Sequence, residues 1–206
     1  MRLTEKTLYQ KYLMRHESKQ NRGHKSRDSE RLKCYRSEWA FQSAMKQKGM
    51  PVPTFANIKE AQRFAKKIYK SKTWPRLYAE AGQTDFMNLF RYKRPEVVLK
   101  QQSSGRGTNG WTNGSTVTLD KYGGLDAYTL IHELTHCLGH MHHGRSFRKA
   151  LLRLVGTFLG AEYKKELKAQ FRKNKLACGE AKQPLSFEKW KEMRQRMENI
   201  RNGKNN

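Results

Sequence analysis

Five of the seven histidines fall between residues 132 and 143, in the run IHELTHCLGHMHHGRSF. It opens with His132-Glu133-Leu134-Thr135-His136, an H-E-x-x-H. In an α-helix, residues four apart stand one turn apart on the same face, so His132 and His136 can ligate one zinc ion together. Glu133 is then placed to take the proton of an attacking water and hand it to a leaving amine, which is the chemistry of peptide hydrolysis. The motif sits among Leu130, Ile131, Leu134 and Leu138, the setting of a buried site helix.

A catalytic zinc takes three protein ligands and keeps one position open for water. Three residues compete for the third place. His140 continues the four-residue ladder, but two helical turns put it about 12 Å from His132, too far to share an ion. His142 fits the spacing H-E-x-x-H-x-x-G-x-x-H with Gly139 as the turn. His143 begins H-G-x-x-F (His143, Gly144, Phe147) and leads into a new apolar helix; it is the favoured ligand, with His142 second. A tetrahedral intermediate would also need a hydrogen-bond donor, and Tyr128, His142, Arg145 and Tyr163 are the candidates. Cys137 adjoins a ligand but points to another helix face, and reads as a buried thiol. If Cys137 or His140 closed the site as a fourth ligand, the zinc would be structural, and the chain a basic nucleic-acid-binding protein with no catalysis.

Other elements must hold this helix in place. Asp126 is a good N-cap for it, after a break at Gly123-Gly124 and a strand over Ser115–Leu119. Val97–Leu99 reads as another strand, and the glycine-rich SSGRGTNGWTNG between them as a hairpin turn or loop that lacks phosphate-loop spacing. Upstream, Thr4 caps a first helix carrying Leu8, Tyr12 and Arg15, and Ser18–Ser26 reads as a solvated linker. Asp28 opens a helix to about Gln47, with Leu32, Tyr35, Trp39 and Ser43 on one stripe and Phe41, Ala44 and Met45 beside it; Pro51 and Pro53 end it. Asn57 and Glu60 start a third helix, with Ile58, Ala61, Ala65 and Ile68 at helical spacing. Beyond the histidines, a helix from about Ser146 runs through Leu151, Leu154, Val155 and Phe158, Gly160 interrupts it, and another follows through Tyr163, Leu167 and Phe171. Ser186 caps a last basic helix, with Leu185 placed to staple on Trp190 and a stripe of Phe187, Trp190, Met193, Met197 and Ile200 that is expected to pack on the domain.

The H-G-x-x-F signature after H-E-x-x-H resembles that of SprT-like zinc metallopeptidases. The chain is more closely similar to a family of small metallohydrolases of actinobacteria and their phages. The likeness rests on Arg27-Asp28-x-x-Arg31-x-x-x-Tyr35-x-x-Glu38, on the strand before the site helix with H-E-L-T-H, on HGRSFRKALLRLV, and on FLGAEYKKELKAQF from Phe158 to Phe171. It covers about residues 27–175. The resemblance implies His132, His136 and His143 as zinc ligands, Glu133 as general base, and a compact α+β zincin-like domain with a small sheet packed on the H-E-x-x-H helix. It also implies protein or peptide substrates, with DNA-bound proteins and phage or host proteins as classes. The expected organisation is a basic helical extension and linker over 1–26, the domain over 27–175, and a basic C-terminal helix over 176–206.

Composition narrows the setting. The chain has 206 residues, 43 of them Lys or Arg against 18 Asp or Glu, for a net charge of +25. The charge is uneven: residues 1–36 carry +7, 37–100 carry +8, 101–163 only +2 and 164–206 again +8. A near-neutral site between basic segments points to salt-sensitive, sequence-tolerant contact with DNA or RNA through the basic flanks. No apolar run reaches the length of a membrane span, the start MRLTEKTLYQ has no apolar signal core, and the 3 cysteines do not suit a disulfide framework. The expectation is a cytoplasmic protein of a bacterial or phage-infected cell, with virion association compatible.

Overall fold

The computed structural model describes residues 4–21, 28–81, 94–100, 109–140, 142–179 and 185–201. Among them the chain is mixed α+β, mostly helical with one small sheet: α1 (Glu5–Asn21), α2 (Arg31–Gln47), α3 (Ile58–Tyr69), α4 (Thr73–Glu80), β1 (Glu96–Lys100), β2 (Gly110–Thr112), β3 (Thr116–Asp120), α5 (Ala127–Cys137), α6 (Arg145–Phe158), α7 (Ala161–Lys173) and α8 (Phe187–Arg201). None of these helices is long and apolar enough to cross a membrane.

The chain divides into two compact units, residues 28–179 and residues 1–27 with 180–206. The sequence places the two ends outside a domain of 27–175, as separate extensions. The structure instead pairs α1 with α8 and carries the central unit to Gly179. Leu176 is buried there, and the Ala177 carbonyl accepts hydrogen bonds from the Arg148 guanidinium.

In the central unit the sheet order is β1-β3-β2, with β1 parallel and β2 antiparallel to β3. Asn113 makes the β2–β3 turn by accepting from the backbone N–H groups of Ser115 and Thr116 at 3.0 and 2.8 Å. Thus part of the glycine-rich stretch is strand, while its residues 103–108 lie outside the described residues. α5 packs on β2 and β3, α3 on β1, α6 on α5 and α7, and α7 on α2. The shared core includes Phe41, Ile68, Trp74, Val117, Leu119, Leu130, Ile131, Leu134, Phe147, Leu151 and Phe171, all fully buried.

Several local expectations are met at their residues. Asn57 accepts from the Glu60 N–H at 3.2 Å while Glu60 reaches back to the Ala56 N–H at 2.9 Å, closing a reciprocal cap one residue early on one side. Asp126 caps α5 through the Thr129 N–H at 2.8 Å. A short antiparallel bridge between Thr54 and Asp126 fixes the entry to α5.

Others are not met. α1 continues to Asn21, through the start of the supposed linker. α2 begins at Arg31, and the Asp28 side chain leaves the helix end to bind an imidazole. The stripe read for α2 is also turned: Leu32 and Trp39 are exposed, and the buried face is Cys34, Ser37, Glu38, Phe41 and Met45. An apolar count misplaces that face because Glu38 is drawn inward by His132.

In the terminal unit, the Tyr9 hydroxyl donates to the Leu185 carbonyl at 2.7 Å and the Leu185 N–H donates to the Tyr12 hydroxyl at 3.0 Å. Tyr9, Phe187 and Trp190 form an aromatic cluster. Ser186 sits at the head of α8 as expected, with the Lys189 N–H 3.4 Å from its hydroxyl. Of the α8 stripe, Trp190 is buried, but Met193, Met197 and Ile200 are exposed.

Candidate metal centre

α5 is buried along nearly its whole length because it lies between the sheet, α3 and α6. Its 3.6-residue repeat brings His132 and His136 to one side, with ring centroids 5.0 Å apart. The turn after α5 is tight: Gly139 has φ 94°, a conformation that glycine adopts without strain. It returns the chain so that His143 faces the same point, with its ring 5.1 Å from His132 and 4.8 Å from His136. One ligand nitrogen from each of the three lies within 4.8 Å of the others. Phe147, fully buried, closes the back of the cluster with ring distances of 5.0, 4.5 and 4.8 Å to His132, His136 and His143.

Each imidazole has an oxygen beside its Nδ1. His143 Nδ1 is 2.5 Å from the Asp28 carboxylate. His136 Nδ1 is 2.6 Å from the His140 carbonyl. His132 Nδ1 is 3.2 Å from Glu38 Oε2, an ion-pair distance without hydrogen-bond alignment. An Nδ1–H donated to oxygen leaves Nε2 as a bare lone pair, the arrangement that orients metal-ligating histidines. His132 Nε2 and His143 Nε2 then face each other at 3.2 Å. Two lone pairs at that distance repel unless a cation sits between them. Nitrogen ligands about 2.1 Å from a tetrahedral ion stand roughly 3.4 Å apart, so the residues present fit a metal ion. Imidazole donors suit zinc, copper, iron or nickel.

Electrostatics favour the neutral, cation-binding form of two of the three rings, whereas at His132 burial is outweighed by the Glu38 carboxylate, which raises the imidazole. Burial, with the neighbouring His132, pushes His136 down to about 3. Burial and His132 likewise lower His143. Burial on its own would raise Glu38, but His132 and the Cys34 thiol hold its carboxyl below the usual range. Glu133 behaves differently: burial, reinforced by Glu38, raises its carboxyl against the opposing pull of His132. A buried carboxylate with a raised pKa next to a cation site is suited to accept and return a proton.

Glu133 and His132 line one recess of about 150 Å³, with Tyr35, Trp39, Gln42, Tyr128 and Gly110 among its walls. Gly110 on β2 lets the strand backbone pass beside the carboxylate. A Cβ built there would stand 3.0 Å from Glu133 Cγ and 3.3 Å from its Oε1. Tyr128 is the oxyanion candidate at this recess, with a buried hydroxyl that has no hydrogen-bond partner among the described residues. Tyr163 is committed elsewhere, its hydroxyl donating to the Pro51 carbonyl at 3.2 Å. Arg145 is exposed at the first turn of α6, and His142 is half-buried outside the three-histidine cluster. Cys137 lies 3.1 Å from the Thr112 hydroxyl, and His140 gives its backbone carbonyl rather than its ring to the site.

The groups that no local pattern picks out as functional are Asp28, Glu38 and Arg148. Asp28 and Glu38 belong to the N-terminal signature, but Asp28 reads there as a helix cap and Glu38 has no role. Arg148, fully buried on α6, donates to the His143 carbonyl, to Glu30 at 2.8 Å and to the Ala177 carbonyl at 2.9 and 2.7 Å. It thereby pins the loop bearing the third histidine. Compared with known proteins, the chain matches no family model, no curated protein and no solved structure.

Proposed function

We propose that the chain is a zinc-dependent metallopeptidase of SprT-like type, related to small phage and actinobacterial metallohydrolases, that acts on proteins on or near nucleic acid. The observation that carries this reading is the convergence of one ring nitrogen each from His132, His136 and His143 beside a buried Glu133 carboxylate, with each Nδ1 near an oxygen. Among the described residues the cluster holds three side chains and no Cys or carboxylate, which favours an open catalytic site over a closed structural one. His132, His136 and His143 would hold the ion, which when bound polarises a carbonyl and acidifies water.

The protein's own part follows from the geometry. Glu133 takes a proton from the attacking water and returns it to the leaving amine. Asp28 and Glu38 fix two of the ligand rings. Gly110 leaves room for the carboxylate to turn between its two tasks. Tyr128 is the donor available to a developing oxyanion at the recess. The net charge of +25 supports a polyanionic surrounding.

The test pairs metal content with hydrolysis. Purified without chelator, the protein is expected to carry one zinc per chain and to cleave an unfolded protein substrate. Glu133→Gln is expected to keep the zinc and lose cleavage by at least a hundredfold, the usual weight of a general base. Unchanged cleavage in that variant refutes the role of Glu133, and a zinc-free protein refutes the centre.

A further inference from the structure

α3 carries a second ordered feature that the metal centre does not use. Its inward residues Ala61, Ala65 and Ile68 are buried against the core. Lys59, Arg63, Lys66 and Lys70 follow at spacings of four, three and four, which in a helix of 3.6 residues per turn places them on a single solvent-facing stripe about 16 Å long. All four are exposed, and Lys67 flanks them. Arg63 has a loose partner in Glu60 at 3.7 Å. Lys59, Lys66, Lys67 and Lys70 make no ion pair among the described residues. Some basic residues elsewhere in the central unit are paired, Lys48 with Glu166 at 2.6 Å and Lys149 and Arg153 with Glu80 at 3.5 and 2.5 Å. What distinguishes α3 is that its cations fall in one row on one helix face.

The stripe borders a groove of about 570 Å³ whose walls include Lys66, Lys70 and Arg94, with Glu96 as the one acidic group among the described residues that line it. Tyr69 braces that wall by donating to the Pro95 carbonyl at 2.7 Å, and Gln62 by donating to the Val97 carbonyl at 2.8 Å.

We propose that this stripe of α3, with Arg94, is a docking face for the phosphate backbone of a nucleic acid. It deepens the nucleic-acid part of the reading above and is independent of the peptidase part. A rigid row of cations, three of the four without an ion pair among the described residues, on a helix already ordered by the core meets a line of phosphates with little loss of freedom. Phosphates of one strand recur about every 3.4 Å along a duplex, so a 16 Å row faces about five of them. The stripe residues are all charged, with no apolar residue among them to enter a bilayer. Contacts are to phosphate and not to base edges, so binding is insensitive to sequence. Composition puts such contact in the basic ends; α3 adds an ordered array within the central unit.

The experiment uses the full, zinc-loaded chain and fluorescein-labelled 20-mers of single-stranded DNA, duplex DNA and RNA. Anisotropy is read from about 50 to 300 mM salt. Lys66→Ala/Lys70→Ala is expected to weaken binding at least tenfold at low salt and to reduce the salt slope by about two. Zinc content, melting temperature and cleavage of a short uncharged peptide are expected to stay unchanged, which separates failure here from failure of the catalytic reading. Arg172→Ala/Lys173→Ala at the end of α7 removes the same charge off the stripe and is expected to leave the slope near that of the unaltered protein. Equal losses from both pairs, or displacement of DNA by polyglutamate at matched charge, would overturn the proposal.

Discussion

The metal-centre end of the central unit and the α1–α8 pair are both held by aromatic and apolar side chains, yet they are built on different terms. Around His132, His136 and His143, Asp28, Glu38 and the His140 carbonyl each sit beside one ring nitrogen. In the α1–α8 pair, a small aromatic cluster around the buried Trp190 does the joining, while Met193, Met197 and Ile200 remain exposed. A site with fixed chemistry needs over-determined positions. A pair of helices needs only enough buried area to stay together.

The sharpest way to break the contrast is to loosen the site from behind. Phe147→Ala removes a fully buried ring that touches all three histidines. The expected cost is about 3–5 kcal/mol of stability, together with loss of bound zinc on purification. Calorimetry and metal analysis check both, and a well-folded variant that keeps full zinc would show that the cluster is not held by packing.

Asp28 probes the same site more gently. Asp28→Ala is expected to weaken zinc affinity about 10- to 100-fold, measured by competition with a chromogenic chelator. Asp28→Asn, which retains an acceptor oxygen for the His143 N–H, is expected to recover most of it. Equal affinity in all three proteins would make Asp28 a bystander.

What could be read from the chain follows the same division. Local periodicity is enough to align His132 with His136, and a capping Asp at 126 is a contact across three residues. His143 is favoured by the H-G-x-x-F that it begins, while Gly139 in the same loop speaks for the competing His142. The outer partners are not legible: Asp28 meets His143 across 115 residues and Arg148 meets Glu30 across 118. A single sequence carries no local pattern for such pairs. The α2 stripe misleads for a related reason, since a buried Glu38 paired to His132 outweighs the apolar Leu32 and Trp39, which stay in solvent. Gly110 resembles any loop glycine until Glu133 is seen against it.

A pH series sharpens the contrast without mutation. In the zinc-free protein burial lowers His140 to about 4, and burial with the neighbouring His132 lowers His136 to about 3. In the unfolded chain both return to roughly 6.5. At these two rings the unfolded state therefore binds more protons, so their contribution to stability is complete above about pH 6.5 and falls as the pH drops toward 4. His132, where burial is outweighed by Glu38 and the imidazole is raised, works in the opposite sense. The urea midpoint is expected to be lower at pH 5 than at pH 7.5, and His140→Gln to remove about one proton from the slope. A midpoint indifferent to pH would mean that these rings are solvated.

The smallest effect on the metal centre is expected from the other region. Trp190→Ala deletes the buried indole that stands 5.5 Å from the Tyr9 ring and 6.0 Å from the Phe187 ring. Hydrogen exchange is expected to show α1 and α8 losing protection by at least tenfold, because isolated helices of 17 and 15 residues are marginal in water. Zinc affinity, set by residues of the central unit, is expected to change by less than about twofold. Loss of zinc on this substitution would mean that the helix pair supports the centre energetically, and the two regions would then have to be treated as one cooperative structure.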